Sequence, residues 1–210
     1  MIDIETYVVN AFFVNNHLLI DRENKEIGLI DAPGVYPELN DLLNHGYKVK
    51  WIALTHGHID HIAGLRDIVD LTKAPWYIHP NDLKYVEHAP RDMFASVLKV
   101  KEPPENPLFF KEGDTLSIGD MELKIFETPG HTPGGVSLYS EKYSVVFTGD
   151  TLFKLSIGRT DLPGGDFNTL KDSILTKLYT LPDNTVVFSG HGETTTIGFE
   201  KENNPFVRIE

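Results

Sequence analysis

The sequence contains no cysteine among its 210 residues, which excludes a disulfide framework, a cysteine nucleophile and any thiolate metal site. Any metal must therefore be held by His, Asp or Glu. Cations are scarce: 19 Lys and Arg stand against 31 Asp and Glu, a formal net charge of -12. Phosphate backbones would be repelled by such a chain, so nucleic acid is not an expected partner. Long apolar runs are missing too. No stretch approaches the ~20 apolar residues a membrane-spanning helix needs, and the Met-Ile-Asp-Ile-Glu start carries acids where a secretory signal carries Lys or Arg. The expectation is a cytoplasmic protein that makes no use of a membrane.

With 40% hydrophobic and 24% charged residues the composition is globular, and this length suits one well-buried core, so a single domain over residues 1–210 is expected. Strand-like runs cover residues 7–14, 18–21 and 27–31, the last closed by Ala32-Pro33-Gly34. Leu39, Leu42, Leu43 and Tyr47 then fall at helical spacing, with Gly46 where that helix would stop. A short apolar strand at 49–54 leads into a polar loop at 55–60 and a helix expected over 62–71. Strand, loop, helix is the order that puts loop side chains at the carboxyl edge of a sheet. A second strand and short helix follow at 76–79 and 81–87, and strands return at 115–118, 121–127, 135–139 and 144–148. A helix at 168–178 and a strand at 186–188 complete the pattern. Both halves open on strand pairs, which suggests two sheets covered by helices.

Nine histidines are present, and three fall within the six residues His56-Gly57-His58-Ile59-Asp60-His61. Two more stand in glycine-rich turns just after strand-like runs, as Gly130-His131 and Gly190-His191, and Gly149-Asp150 puts a carboxylate in the same setting. Imidazole and carboxylate are the donors that Zn²⁺, Fe²⁺ or Mn²⁺ takes where thiolate is absent. One tetrahedral ion uses three protein groups plus water, so seven candidate ligands, His56, His58, Asp60, His61, His131, Asp150 and His191, suit two metals sharing a bridge. The isolated His17, His45, His79 and His88 read as ordinary surface or core histidines.

The segment Thr55-His56-Gly57-His58-Ile59-Asp60-His61, followed in order by Gly130-His131, Gly149-Asp150 and Gly190-His191, resembles the signature of the metallo-β-lactamase superfamily over nearly the whole chain. That resemblance implies an α/β fold, a four-layer αββα sandwich with a binuclear metal site. Carried over residue by residue, it implies His56, His58 and His131 on one metal, Asp60, His61 and His191 on the other, and Asp150 on both. The segments 156–166 and 190–198, with Asn204-Pro205-Phe206, are similar to those of the glyoxalase II-like thioesterases, in their short single-domain subgroup. Only 19 residues follow His191, too few for the helical C-terminal substrate domain of the long enzymes.

The chemistry so implied is hydrolysis of a small-molecule thioester, such as an acyl-glutathione, by a metal-bridging hydroxide, with Asp60 and Asp150 as catalytic carboxylates. The metals would be two divalent ions, Zn first, with Fe or Mn also suited. Arg159 matches a basic substrate-binding position of the family and is expected either to meet a substrate carboxylate or to brace its loop by pairing with Asp161. Asp31 is expected to support the metal loops or simply to cap a turn before Pro33. Three other readings remain open: a mononuclear iron persulfide dioxygenase, a β-lactamase, and a non-catalytic metal-binding or interaction module.

Overall fold

Alternation at period two builds the sheets, and the residues with alternating apolar side chains also supply the core. A computed structural model describes residues 1–208 as two compact units, one made of residues 1–110 with 117–121 and the other of 111–116 with 122 onward. No helix among the described residues is long and apolar enough to cross a membrane.

In the first unit, β1 (Ile2–Val9), β2 (Val14–Asp21) and β3 (Glu26–Ile30) pair antiparallel. From β3 the pairing turns parallel through β4 (Lys48–Ala53), β5 (Trp76–Ile78) and β6 (Leu108–Phe109). Helices α1 (Pro37–Asn44), α2 (Ile59–Ile62), α3 (Leu65–Thr72), α4 (Leu83–His88) and α5 (Ala95–Leu98) fill the connections. Leu39, Leu65, Ile68 and Val86 of the helices pack with Leu18, Ile20, Ile27, Leu29, Ile52, Trp76 and Ile78 of the strands. Each such side chain contributes about 1.5–3 kcal/mol by leaving water. Parallel pairing has a consequence for the loops: those leaving β3, β4 and β5 all emerge at one end of the sheet.

Two expectations differ here. The run 7–14 is not one strand but a hairpin, because Asn10 and Phe13 adopt φ of 60° and 58° and the Asn10 side chain accepts the Phe12 N–H at 2.8 Å. An asparagine that closes a turn on its own backbone outweighs the apolar Ala11, Phe12 and Phe13. The helix expected over 62–71 is split into α2 and α3 because the carbonyls and N–H groups at the break have other partners. His61 O accepts from Ala32 N at 2.8 Å, Asp60 O accepts from Asn10 Nδ2 at 2.8 Å, and Gly64 N donates to Ala32 O at 2.9 Å. A Cβ at Gly64 would lie 2.3 Å from the Gly34 Cα, so the two backbones touch.

A second six-stranded sheet has the order β14-β13-β10-β9-β8-β7, with β7 (Thr115–Ile118), β8 (Met121–Glu127), β9 (Val136–Ser140), β10 (Val145–Gly149), β13 (Val186–Ser189) and β14 (Thr195–Thr196). β10 and β13 run parallel, joined by Gly190 N to Gly149 O at 2.8 Å just past their ends. A small hairpin of β11 (Leu152–Phe153) and β12 (Ser156–Ile157) and helices α6 (Phe167–Thr176) and α7 (Ile197–Asn203) complete the second unit. Leu170 and Ile174 of α6 and Ile197 of α7 pack with Val146, Leu152 and Val187. Asp166 caps α6 through Thr169 N, and Thr196 caps α7 through Phe199 N. Two helix-backed sheets are the layers that the αββα fold requires.

Candidate metal centre

The four ligand candidates of the first unit lie in the loop after β4 and the first turn of α2. Their ring centroids cluster: His56 is 4.9 Å from His58 and 4.2 Å from His61, and His61 Nε2 is 3.8 Å from Asp60 Oδ2. A carboxylate from the end of β3 organises this loop. Asp31, held at φ 65°, accepts Thr55 N and the Thr55 hydroxyl on Oδ1, at 2.8 and 3.1 Å, and His61 Nδ1 on Oδ2 at 2.8 Å. Since the Thr55 hydroxyl donates to Asp31, its oxygen is left to accept from His56 Nδ1 at 3.1 Å. His56 and His61 are thereby assigned as Nδ1–H tautomers, with Nε2 as the atom each could offer a metal.

The second unit supplies the other three candidates from loops after β8, β10 and β13. His131 Nδ1 donates to the backbone oxygen of Arg159 at 2.8 Å, which again leaves Nε2 as the nitrogen that could meet a metal. Asp150 Oδ2 lies 3.6 Å from His131 Nε2 and 3.6 Å from His191 Nε2. That separation is too long for a hydrogen bond. It is close to the ~3.3 Å that separates two donors each about 2.0–2.1 Å from a shared tetrahedral ion. The donor chemistry, three imidazoles turned by outer oxygen acceptors and carboxylates beside them, fits divalent metals in both units.

Arg159 is largely exposed, and its guanidinium grips Asp161 through two hydrogen bonds of 2.8 Å, the loop-bracing arrangement. This pairing holds the Asp161 carboxyl down at about 2. Asp31 bonds the ligand candidate His61 and the neighbouring Thr55, contacts that reach beyond a turn before Pro33. Several supporting residues were not visible in the sequence pattern. Buried Asp82 accepts Gly57 N at 2.9 Å between His56 and His58, and Tyr85 sets its ring edge against His58 at 5.8 Å. Buried Asn16 donates to the Ile30 and Asp31 carbonyls and is itself held by the Tyr36 hydroxyl. No local signal marks these residues, because their partners are 14 to 27 positions away.

Residues 12–191 match the family model of the metallo-beta-lactamase superfamily. The chain is 36% identical to the hydroxyacylglutathione hydrolase GloC of Haemophilus influenzae, over 98% of each protein. Among solved structures, it is similar to the BLEG-1 B3 metallo-beta-lactamase, at 36% identity and a TM-score of 0.85, covering 98% of this chain and 99% of that one. It is also similar to TTHA1623 in a di-iron-bound form, at 36% identity and a TM-score of 0.84, covering 97% of this chain and 100% of that one. Motif, sheets, ligand loops and relatives converge: the chain belongs to the metallo-β-lactamase superfamily.

Proposed function

We propose that the chain is a metal-dependent hydrolase of small-molecule thioesters, acyl-glutathione or similar compounds, with residues 1–210 acting as one catalytic domain. His56, His58 and His131 would hold one divalent ion, Asp60, His61 and His191 a second, and Asp150 both. Zn²⁺ suits these donors, as do Fe and Mn, and a similar structure carries two irons. When bound, the ions supply Lewis acidity and a water acidified toward pKa ~7.

The protein groups do the rest. Asp31 and the Arg159 carbonyl keep His61 and His131 in the tautomer that presents Nε2. Asp60, whose Oδ2 lies 3.8 Å from His61 Nε2, would both bind the second ion and orient the attacking water. Thiolate is a good leaving group, so no strong general acid is needed. Arg159 would meet a substrate carboxylate by exchanging Asp161 for it. The single observation that carries the reading is the Asp150 oxygen equidistant from His131 and His191.

The similarity to a hydroxyacylglutathione hydrolase supports the thioester. An equal identity to a B3 metallo-beta-lactamase favours ring opening of β-lactams as the second reading. One experiment tests both: metal-reconstituted protein is assayed on lactoylglutathione, a panel of other thioesters and a panel of β-lactams, with metal content measured on the same sample. Turnover of thioesters is expected; if none is hydrolysed under any metal loading, the proposal fails.

A further inference from the structure

The segment after His191 contains a buried polar lock whose partners lead back to a ligand. Glu200 of α7 is fully buried, and its carboxyl meets three neutral donors. Oε1 accepts the Thr195 hydroxyl at 2.6 Å, while Oε2 accepts Leu155 N and Asn204 Nδ2, both at 2.9 Å. Asn204, also fully buried, donates from the same Nδ2 to Ser156 O at 3.1 Å. Both grips close on the turn between β11 and β12, where Leu155 adopts φ 57°. Two residues beyond that turn the chain runs against the metal loops: Gly158 has no room for a Cβ, which would fall 1.9 Å from Asp150 O and 3.1 Å from His131 Cβ. The next residue, Arg159, supplies the carbonyl that fixes His131 Nδ1.

We infer that Glu200 and Asn204 are positioning residues for His131: by locking the 155–156 turn they fix the Arg159 carbonyl, and with it the direction in which His131 presents Nε2. A buried carboxyl with three donors is costly to keep unless each is satisfied. Two of its three donors, Leu155 N and the Asn204 amide, belong to the path that ends at His131. Side-chain acceptors behind metal-bound histidines are worth about 10–100-fold in metal affinity, and an element that holds such an acceptor is expected to act near the lower end. The inference rests on the proposed role of His131 as a metal ligand but not on the substrate.

The test is a comparison of Glu200→Ala, Asn204→Ala and Glu200→Gln in full-length protein, read by the ring N–H resonances of His131 and His61 and by competition of Zn²⁺ with a chelator. His61 is held by Asp31 in the other unit and serves as the internal reference. The alanine variants should shift or broaden the His131 Nδ1–H signal, leave that of His61 in place and weaken zinc binding about tenfold. Glu200→Gln, whose amide oxygen can accept where Oε2 does while its NH₂ donates to Thr195, should restore both to within about twofold. Thr195→Val, which removes only the hydroxyl on Oε1, should give a smaller displacement and decides the matter if the alanine variants do not fold. An unmoved His131 signal, or equal movement of His61, in a folded variant would overturn the inference. Because neither readout needs turnover, absence of thioesterase activity would not be confused with this result.

Discussion

Asp31 and His61 share a hydrogen bond of 2.8 Å between two side chains that are almost wholly shielded from water. The same carboxylate holds Thr55 by its backbone N–H and hydroxyl, so a single acid orients His61 directly and, through Thr55, His56.

Asp31→Asn tests that dependence. The amide must turn an NH₂ toward groups that are themselves donors, which favours the other His61 tautomer and protonates Nε2. Metal affinity should fall about 10–100-fold, and stability should fall by about 1–3 kcal/mol as a buried donor loses its acceptor. Metal titration and denaturant unfolding of the metal-free protein measure the two effects separately.

Asp150→Asn weakens the proposed bridge. The isolated protein should then hold about one metal rather than two and lose roughly 100-fold or more in kcat. Chelation of the unaltered protein should abolish activity, and Zn, Fe or Mn should restore it. Retention of two metals with full activity in the variant would remove Asp150 from its assigned role.

Gly158→Ala introduces a methyl 1.9 Å from the Asp150 carbonyl oxygen. Backbone cannot rotate out of the way as a flexible side chain can, so the cost should be at least the ~1–3 kcal/mol of an overpacked core. Metal content should fall with it. A lowered denaturation midpoint with unchanged metal stoichiometry would show that the 150–158 contact is structural only.

Arg159→Met separates the two roles of that residue. Its backbone carbonyl still meets His131, so metal content and kcat should hold, while KM for an anionic thioester rises severalfold. Asp161, held at about 2 chiefly by the guanidinium, should rise toward the ordinary aspartate value near 3.9. In the unaltered protein the favourable effect of this pair is complete above that ordinary value and fades as the pH falls through about 2. Carboxyl NMR titration reads the shift.

The ligand candidates were legible in the sequence because His56, His58, Asp60 and His61 are neighbours in the chain, and because His131, Asp150 and His191 each follow a glycine at a strand end. Strands β3, β4, β8 and β10 were legible from their apolar runs. What escaped is whatever depends on a distant partner. The break between α2 and α3 is made by Ala32 and Asn10 taking hydrogen bonds from the helical ladder. The Glu193-to-Gly198 segment suggested kinship but no structure, since helix α7 begins on a threonine cap and has only Ile197 and Glu200 buried. Asp82 and Glu200 look like surface acids until folding supplies Gly57, Thr195 and Asn204 as their donors.

At the Gly34–Gly64 contact, two main chains meet with no side chain on either side. A collision between side chains can be relieved by trimming either partner, but here both residues are already as small as an amino acid can be. Any larger residue at Gly64 meets the Gly34 backbone and leaves no compensating change there. Rescue would have to come from moving the 32–34 segment itself, and Ala32 is bonded to His61 O and Gly64 N. This pair should therefore defeat second-site suppression, and a selection for revertants of Gly64→Ala should return the original glycine.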